Sequence, residues 1–176
     1  MSFVGLINEA EAPPELKPLY KQISAEMGYV PNFFLALGRD PEIIRGQLAL
    51  GSAISKAGAL PRAIKEQIAL VVSGLNTSSY CIAVHMEALH HLGIEKAISR
   101  KLATDYENAP VDAKTKALFR AADKLTRTPD EFGQADVGAL REAGWSDAAI
   151  FEAVMTTAFF NYIARVSIGL GLVADF

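Results

Sequence analysis

The chain holds a single cysteine, Cys81, and three histidines, His85, His90 and His91, all of them between positions 81 and 91. A helix turns about 100° per residue, so residues three and four apart share a stripe, and Ser78, Cys81 and His85 line up on one. Thr77 or Ser78 can cap the start of that helix, which puts Cys81 in or near its first turn. There the unpaired N–H groups and the positive end of the helix dipole favour a thiolate, and an imidazole one turn further on can exchange a proton with it. The pattern is that of an activated thiol, and it predicts a Cys81 that titrates below the free value of about 8.5. A small buried hydrophobe among Ile82, Ala83 and Val84 would have the same sequence, and the residues alone leave both readings open. His90 and His91 lie off the stripe, near the end of the helix, and read as C-terminal contacts or solvent-facing groups. One cysteine and three local histidines make no convincing zinc set, so no metal and no cofactor is expected.

Glu66 is the other candidate. No formal charge follows it until Glu87, which implies that the hairpin over 61–92 is buried on more than one side. Ile64, Ile68, Val71, Val72 and Leu75 form one apolar stripe, and the opposite face, with Glu66, Leu70 and Ser73, is small or apolar. A carboxylate at the edge of such a face is partly desolvated, with a raised pKa suited to proton transfer. A solvated first-turn Glu66 beside Arg62 fits the residues equally well.

These residues need a scaffold, and composition bounds it. The chain has 176 residues, 51% hydrophobic and 21% charged, enough to bury a core and too apolar for disorder. The net charge is −3, from 17 basic and 20 acidic side chains, and no run of five like charges occurs, so nucleic acid is not an expected partner. The stretch 67–86 lacks Asp, Glu, Lys and Arg but holds Asn, Gln, Ser and His, and so does not read as a membrane span. The opening MSFVGLINEAEAPP lacks a basic region and carries Glu9 and Glu11, unlike a signal peptide, and the expected location is cytoplasmic.

Caps and apolar periods predict helices over 13–27, 31–38, 41–56, 61–75, 78–92, 94–104, 111–126, 134–143 and 146–170, an all-α single domain over 1–176. Pro31, Pro41, Pro61 and Pro110 head apolar-periodic stretches and suit a first helical turn. Asp40 and Ser146 are expected N-caps, and Gly93 and Gly144 expected stops. Ala88, Leu89, Gly93, Ile94 and Ala97 align with Ala139, Leu140, Gly144, Trp145 and Ala148 at a spacing of 51, which hints at a duplicated helical unit. Over 148–174 the only charges before Asp175 are Glu152 and Arg165, so the last helix needs cover on most faces, from this chain or from a second copy.

The stretch KEQIALVVSGLNTSSYCIAVHMEALHHLG resembles the AhpD-like alkylhydroperoxidase family, also called the carboxymuconolactone decarboxylase superfamily. That family's pattern is Glu, eleven residues, Cys, two residues, Cys, three residues, His, and it falls here on Glu66, Ser78, Cys81 and His85. The segments VPNFFLALGRDPEIIRGQLAL and FFNYIARVSIGLGL resemble its peroxidase-related subgroup, so the likeness spans nearly the whole chain. The resemblance implies an all-helical, pseudo-duplicated core that assembles as a trimer, dimer or hexamer. It implies Cys81 as the peroxidatic thiol acting on small hydroperoxides, with Glu66 and His85 as the proton relay and an external thiol as reductant. Asn76 and Tyr80 border the same helix start, where they could contact a substrate.

Ser78 stands where the family has its resolving cysteine, and no other cysteine exists, so an internal disulfide is excluded. Three functions stay open on the sequence. One is a one-cysteine peroxidase; another is a lyase of the decarboxylase kind, in which His85 does acid–base work. The third is a non-catalytic oligomer that binds a small ligand.

Overall fold

A computed structural model of the chain describes residues 2–56 and 58–175. Among the described residues there are nine α-helices and no strand. The helices are α1 (Lys17–Met27), α2 (Asn32–Leu37), α3 (Pro41–Ser55), α4 (Arg62–Leu75), α5 (Ser79–His91), α6 (Lys96–Asp105), α7 (Ala113–Arg127), α8 (Gln134–Glu142) and α9 (Asp147–Gly169). All nine segments expected from the sequence are present. The main difference is at α1, which begins at Lys17 and not at 13. Pro18 sits in its first turn; a helix begun at 13 would put that ring in the interior, against the carbonyl of Pro14.

Of the four punctuating prolines only Pro41 occupies the first turn, behind an Asp40 side chain that accepts from Glu42 N at 2.9 Å and Ile43 N at 3.4 Å. Pro31 and Pro61 stand one step earlier, as N-caps with ψ of 148° each. Pro110 precedes the Asp112 cap of α7. An N-cap has extended ψ, which the fixed φ of proline also suits.

The echo at a spacing of 51 is a repeated helix stop. Gly93 and Gly144 both take left-handed φ, +82° and +88°. Gly93 N donates to His90 O and Ile94 N to Leu89 O, while Gly144 N donates to Arg141 O and Trp145 N to Leu140 O, the same paired closure in each copy.

Helix α4 lies at the centre and packs on α5, α6, α7 and α9. Both of its expected faces are covered: Ile68, Leu70, Val71, Val72 and Ser73 are all buried. Gly74 lets α6 cross at contact, since a Cβ there would collide with the Ala103 carbonyl. Two core clusters result. One gathers α1, α2 and α3 with Tyr80 and Cys81 of α5 and Phe159, Ile163 and Ala164 of α9; the other gathers α4 to α8 and the first turns of α9, and Phe160 packs against both.

Lys65 of α4 is buried, and its ammonium donates to Ile54 O (2.9 Å), Lys56 O (2.7 Å) and Glu152 Oε2 (3.0 Å). Glu152 in turn accepts from Ala59 N and Leu60 N, so the connection between α3 and α4 is tied to α9 by one ion pair. On the far side of α9, Phe151, Tyr162 and Ile168 remain exposed, as do Ile43 and Leu50 of α3. No helix among the described residues is long and apolar enough to cross a membrane.

Overpacking against fixed backbone costs about 1–3 kcal/mol. Gly74→Ala is therefore expected to lower the free energy of unfolding by at least that amount in urea titration, with helix content at zero urea retained.

Candidate active site

The local sequence of α5 places the thiol. Thr77 adopts a positive φ of 55°, unusual for a β-branched residue, and turns the chain sharply out of α4. Ser78 then becomes the N-cap, its hydroxyl accepting from Cys81 N at 3.5 Å. Cys81 is the third residue of the helix, and His85 lies one turn further on. Both are buried, with Cys81 only 2% exposed.

Glu66 reaches this helix from the first turns of α4. Its Oε2 lies 2.9 Å from His85 Nδ1, and Arg62 Nε lies 3.7 Å from Oε1. Burial alone would push the Glu66 carboxyl up, but the His85 hydrogen bond and the charges of His85 and Arg62 outweigh it and hold Glu66 below its ordinary value. Of the two readings left open for Glu66, the burial of the first and the Arg62 neighbour of the second are both present, but the raised pKa is not, because desolvation was only half of its environment. A carboxylate can only accept, so Glu66 accepts a hydrogen bond from His85 Nδ1–H, which in the neutral imidazole leaves the lone pair at Nε2. The edge of the Phe160 ring meets the imidazole at 4.5 Å between centroids, which holds the ring plane.

The Cys81 thiol departs from expectation in the same way. Burial pushes it above its ordinary value, and the hydroxyls of Ser78 and Ser167 recover only part of the shift. The helix start that favours a thiolate is present, but the thiol is buried, and desolvation of the charged form wins. Cys81 Sγ donates to Ser167 Oγ at 3.7 Å, and no hydrogen bond joins it to His85 among the described residues.

All four expected residues, Glu66, Ser78, Cys81 and His85, lie on the α4–α5 hairpin. Asn76 and Tyr80 are occupied elsewhere. Asn76 Nδ2 donates to Val72 O and to Asn161 Oδ1, while Tyr80 donates to Asp175 Oδ2 at 2.9 Å and accepts from Phe33 N. His90 and His91 are exposed, away from the thiol. Among the described residues no group of three or more His, Cys, Asp or Glu could hold a metal. Ser167 and Phe160 were not legible as site residues. Both lie on α9, far along the chain from the motif, and the apolar run around them carries no mark of which faces turn toward Cys81.

Residues 41–124, the span that contains all four motif positions, match the carboxymuconolactone decarboxylase family. An uncharacterised peroxidase-related protein from Silicibacter sp. TM1040 superposes with a TM-score of 0.86 at 28% identity, over 92% of this chain and 85% of that one. A second, from Ralstonia eutropha JMP134 and described as an alkylhydroperoxidase AhpD core, superposes with a TM-score of 0.90 at 26% identity, over 98% and 91%. The chain thus matches the carboxymuconolactone decarboxylase family over 41–124 and is similar along nearly its whole length to AhpD-like, peroxidase-related proteins. A debrominase in complex with 2,3,4-tribromopyrrole shares the fold, with a TM-score of 0.82 over 98% and 93% of the two chains, at 17% identity. No curated protein matches the sequence.

For this chain the buried thiol has a direct consequence. The ionisation midpoint of Cys81 is expected above the ordinary value of about 8.5, so less than half of the thiol is ionised at that pH. A midpoint below 8.5, read from the Cys81 13Cβ shift against pH, would show that burial does not control the site.

Proposed function

We propose that the protein is a one-cysteine hydroperoxidase that acts on small organic hydroperoxides and is reduced by an external dithiol. The carrying observation is the Glu66–His85 pair, 2.9 Å apart and one helical turn from a buried cysteine whose ionisation needs a base. Similarity to peroxidase-related proteins supports the same chemistry. His85 Nε2 takes the thiol proton while Glu66 stabilises the imidazolium through Nδ1. The thiolate attacks the distal peroxide oxygen; an S–O bond forms, the O–O bond breaks, and the alkoxide leaves with the proton held by His85. Sulfur loses two electrons and becomes a sulfenic acid, and the peroxide becomes an alcohol. One thiol of the dithiol then attacks the sulfenic sulfur and releases water. The second thiol displaces Cys81 and leaves as a disulfide.

A second reading, a decarboxylase-type lyase, is favoured by one feature: the Glu66–His85 pair is fully formed while the thiol stays protonated. His85 would then do acid–base work on a small carboxylated substrate without Cys81. Full activity in Cys81→Ala on the substrate found would select this reading.

Ser78 cannot close a disulfide, and its replacement offers a sharp test. After a peroxide pulse without added thiol, intact mass should report a gain of oxygen in the wild type. Ser78→Cys should instead lose two protons and gain turnover with a dithiol, since a cap residue and the third helical residue are near enough to bridge. A wild type left unmodified at about millimolar peroxide, the upper end of the usual KM range, would sink the peroxidase reading.

The uncovered side of α9 supports assembly with a second copy of the chain. Phe151, Tyr162 and Ile168 are large apolar side chains left in water, as are Ile43 and Leu50 of α3. Light scattering at about micromolar protein, where a stable interface holds, is expected to report a homo-oligomer. Phe151→Glu should shift it toward the single chain, and a wild type that scatters as one chain would refute the assembly.

A further inference from the structure

Buried hydroxyls in mid-helix usually bond back to the carbonyl four residues earlier. Here Ser73 donates to Ala69 O, Thr156 to Glu152 O and Thr157 to Ala153 O, as do the less buried Thr104 to Arg100 O and Thr126 to Ala122 O. Two buried hydroxyls do not follow them: Ser99 of α6, which has no partner among the described residues, and Ser167 of α9, 1% exposed, which has one outside its own helix. The Ser167 hydroxyl makes no bond to the Ile163 carbonyl, and its partner is Cys81 Sγ, 3.7 Å away across the helix interface. The backbone around it is pinned. Leu172 N donates to Ser167 O, Gly171 N to Ile168 O, and Gly171 closes the helix at a φ of +63°.

We propose that Ser167 is a further catalytic residue, the hydroxyl that receives the Cys81 thiol proton contact in the resting state and donates to the sulfur once it carries charge. The inference rests on the hydroperoxidase reading, since it assigns a role at the reacting atom of that cycle. When the thiol is neutral its S–H points to Ser167 Oγ. When His85 has removed the proton, rotation of the Ser167 hydroxyl about Cβ–Oγ reverses the bond without any backbone movement, and the O–H then faces the thiolate. The same donor serves the sulfenate oxygen's sulfur after the O–O bond has broken. Nothing is oxidised or reduced in this exchange; only the direction of one hydrogen bond changes.

The need for such a donor follows from the surroundings. On the packed elements the charged and titratable groups are already engaged: Glu66 of α4 with His85 of α5 and with Arg62, Lys65 of α4 with Glu152 of α9 and two carbonyls, and Tyr80 of α5 with Asp175. Tyr20 of α1 donates to Ile7 O, and Arg165 of α9 is turned to Asn161. No cation is paired with the sulfur among the described residues. The last turn of α9 is the negative end of that helix, which opposes a thiolate beside it. Neutral hydroxyls are what remain, Ser78 at the head of α5 and Ser167 at the end of α9. Their effect on the thiol is downward, against burial.

Because the chain has one cysteine, one 13Cβ resonance and one S–H band report this site alone. Losing a hydrogen bond to a charged group is expected to move the Cys81 midpoint up by about one pH unit in Ser167→Ala, with alkylation at neutral pH slowed about tenfold. Ser167→Thr keeps the hydroxyl and should restore the midpoint to within a few tenths of a unit, which a purely packing role would not produce. The infrared S–H stretch of the wild type, which needs no variant, should lie at the frequency of a donating thiol. A midpoint unmoved in folded Ser167→Ala, or a free S–H band in the wild type, overturns the role of Ser167. Both readouts are made without peroxide, so a wild type that resists the peroxide pulse overturns the hydroperoxidase reading and is told apart from them.

Discussion

The enclosure of α4 is the constraint from which the rest follows. A helix packed by four others must be apolar around nearly its whole circumference, must accept one neighbour at backbone distance, and must pair every charge it keeps. Gly74 meets the second demand, where α6 crosses at the Ala103 carbonyl. Lys65 and Glu66 meet the third, in opposite directions. Lys65 turns to Glu152 and two carbonyls and thereby fixes the connection from α3, while Glu66 turns to His85 and thereby fixes α5. The structural ion pair and the candidate catalytic pair are adjacent in sequence because both are responses to one buried helix.

Two effects compete at Cys81, and their sizes decide its state. The start of α5 and two hydroxyls favour the thiolate by short-range hydrogen bonds and a dipole, effects of about 1 kcal/mol each. Removal of water from a charged sulfur opposes them and costs several times as much unless a counter-charge is at hand. With Glu66 spent on His85, and no cation on the sulfur, the thiol stays protonated at rest. A resting site of this kind is protected from adventitious oxidation and depends on a base when substrate arrives. On the hydroperoxidase reading proposed above, that base is His85, held by Glu66 and by the T-shaped contact with Phe160.

Ser78, at the position where the resemblance puts a first cysteine, serves the structure as a cap and offers no thiol. A serine caps α5 as well as a cysteine could and better than most residues, so the helix start, and with it the position of Cys81, does not depend on a second thiol. The seam between the two core clusters, where Phe160 touches both, is where Cys81 and His85 come together. What the serine withholds is only the partner for a disulfide.

Much of this architecture was legible along the chain. Caps such as Asp40 and Ser146, the stops at Gly93 and Gly144, and the charge-free face after Glu66 are local or periodic signals, and each found its helix or its burial. The spacing of Glu66, Ser78, Cys81 and His85 carried the family resemblance, because a hairpin of two helices converts sequence spacing into proximity. The start of α1 was misjudged where Pro18 overrides an apolar period, again a local effect that the sequence contains. Tertiary structure alone decided the ionisation of the site. The pKa of Glu66 fell and not rose because His85 and Arg62 came within reach, and that of Cys81 rose and not fell because α9 and the first core cluster closed over it. Ser167 arrives from a helix 86 positions away. Hydrogen bonds within a helix or hairpin follow from spacing, whereas the dielectric around a group and its partners from distant helices exist only after the chain has packed.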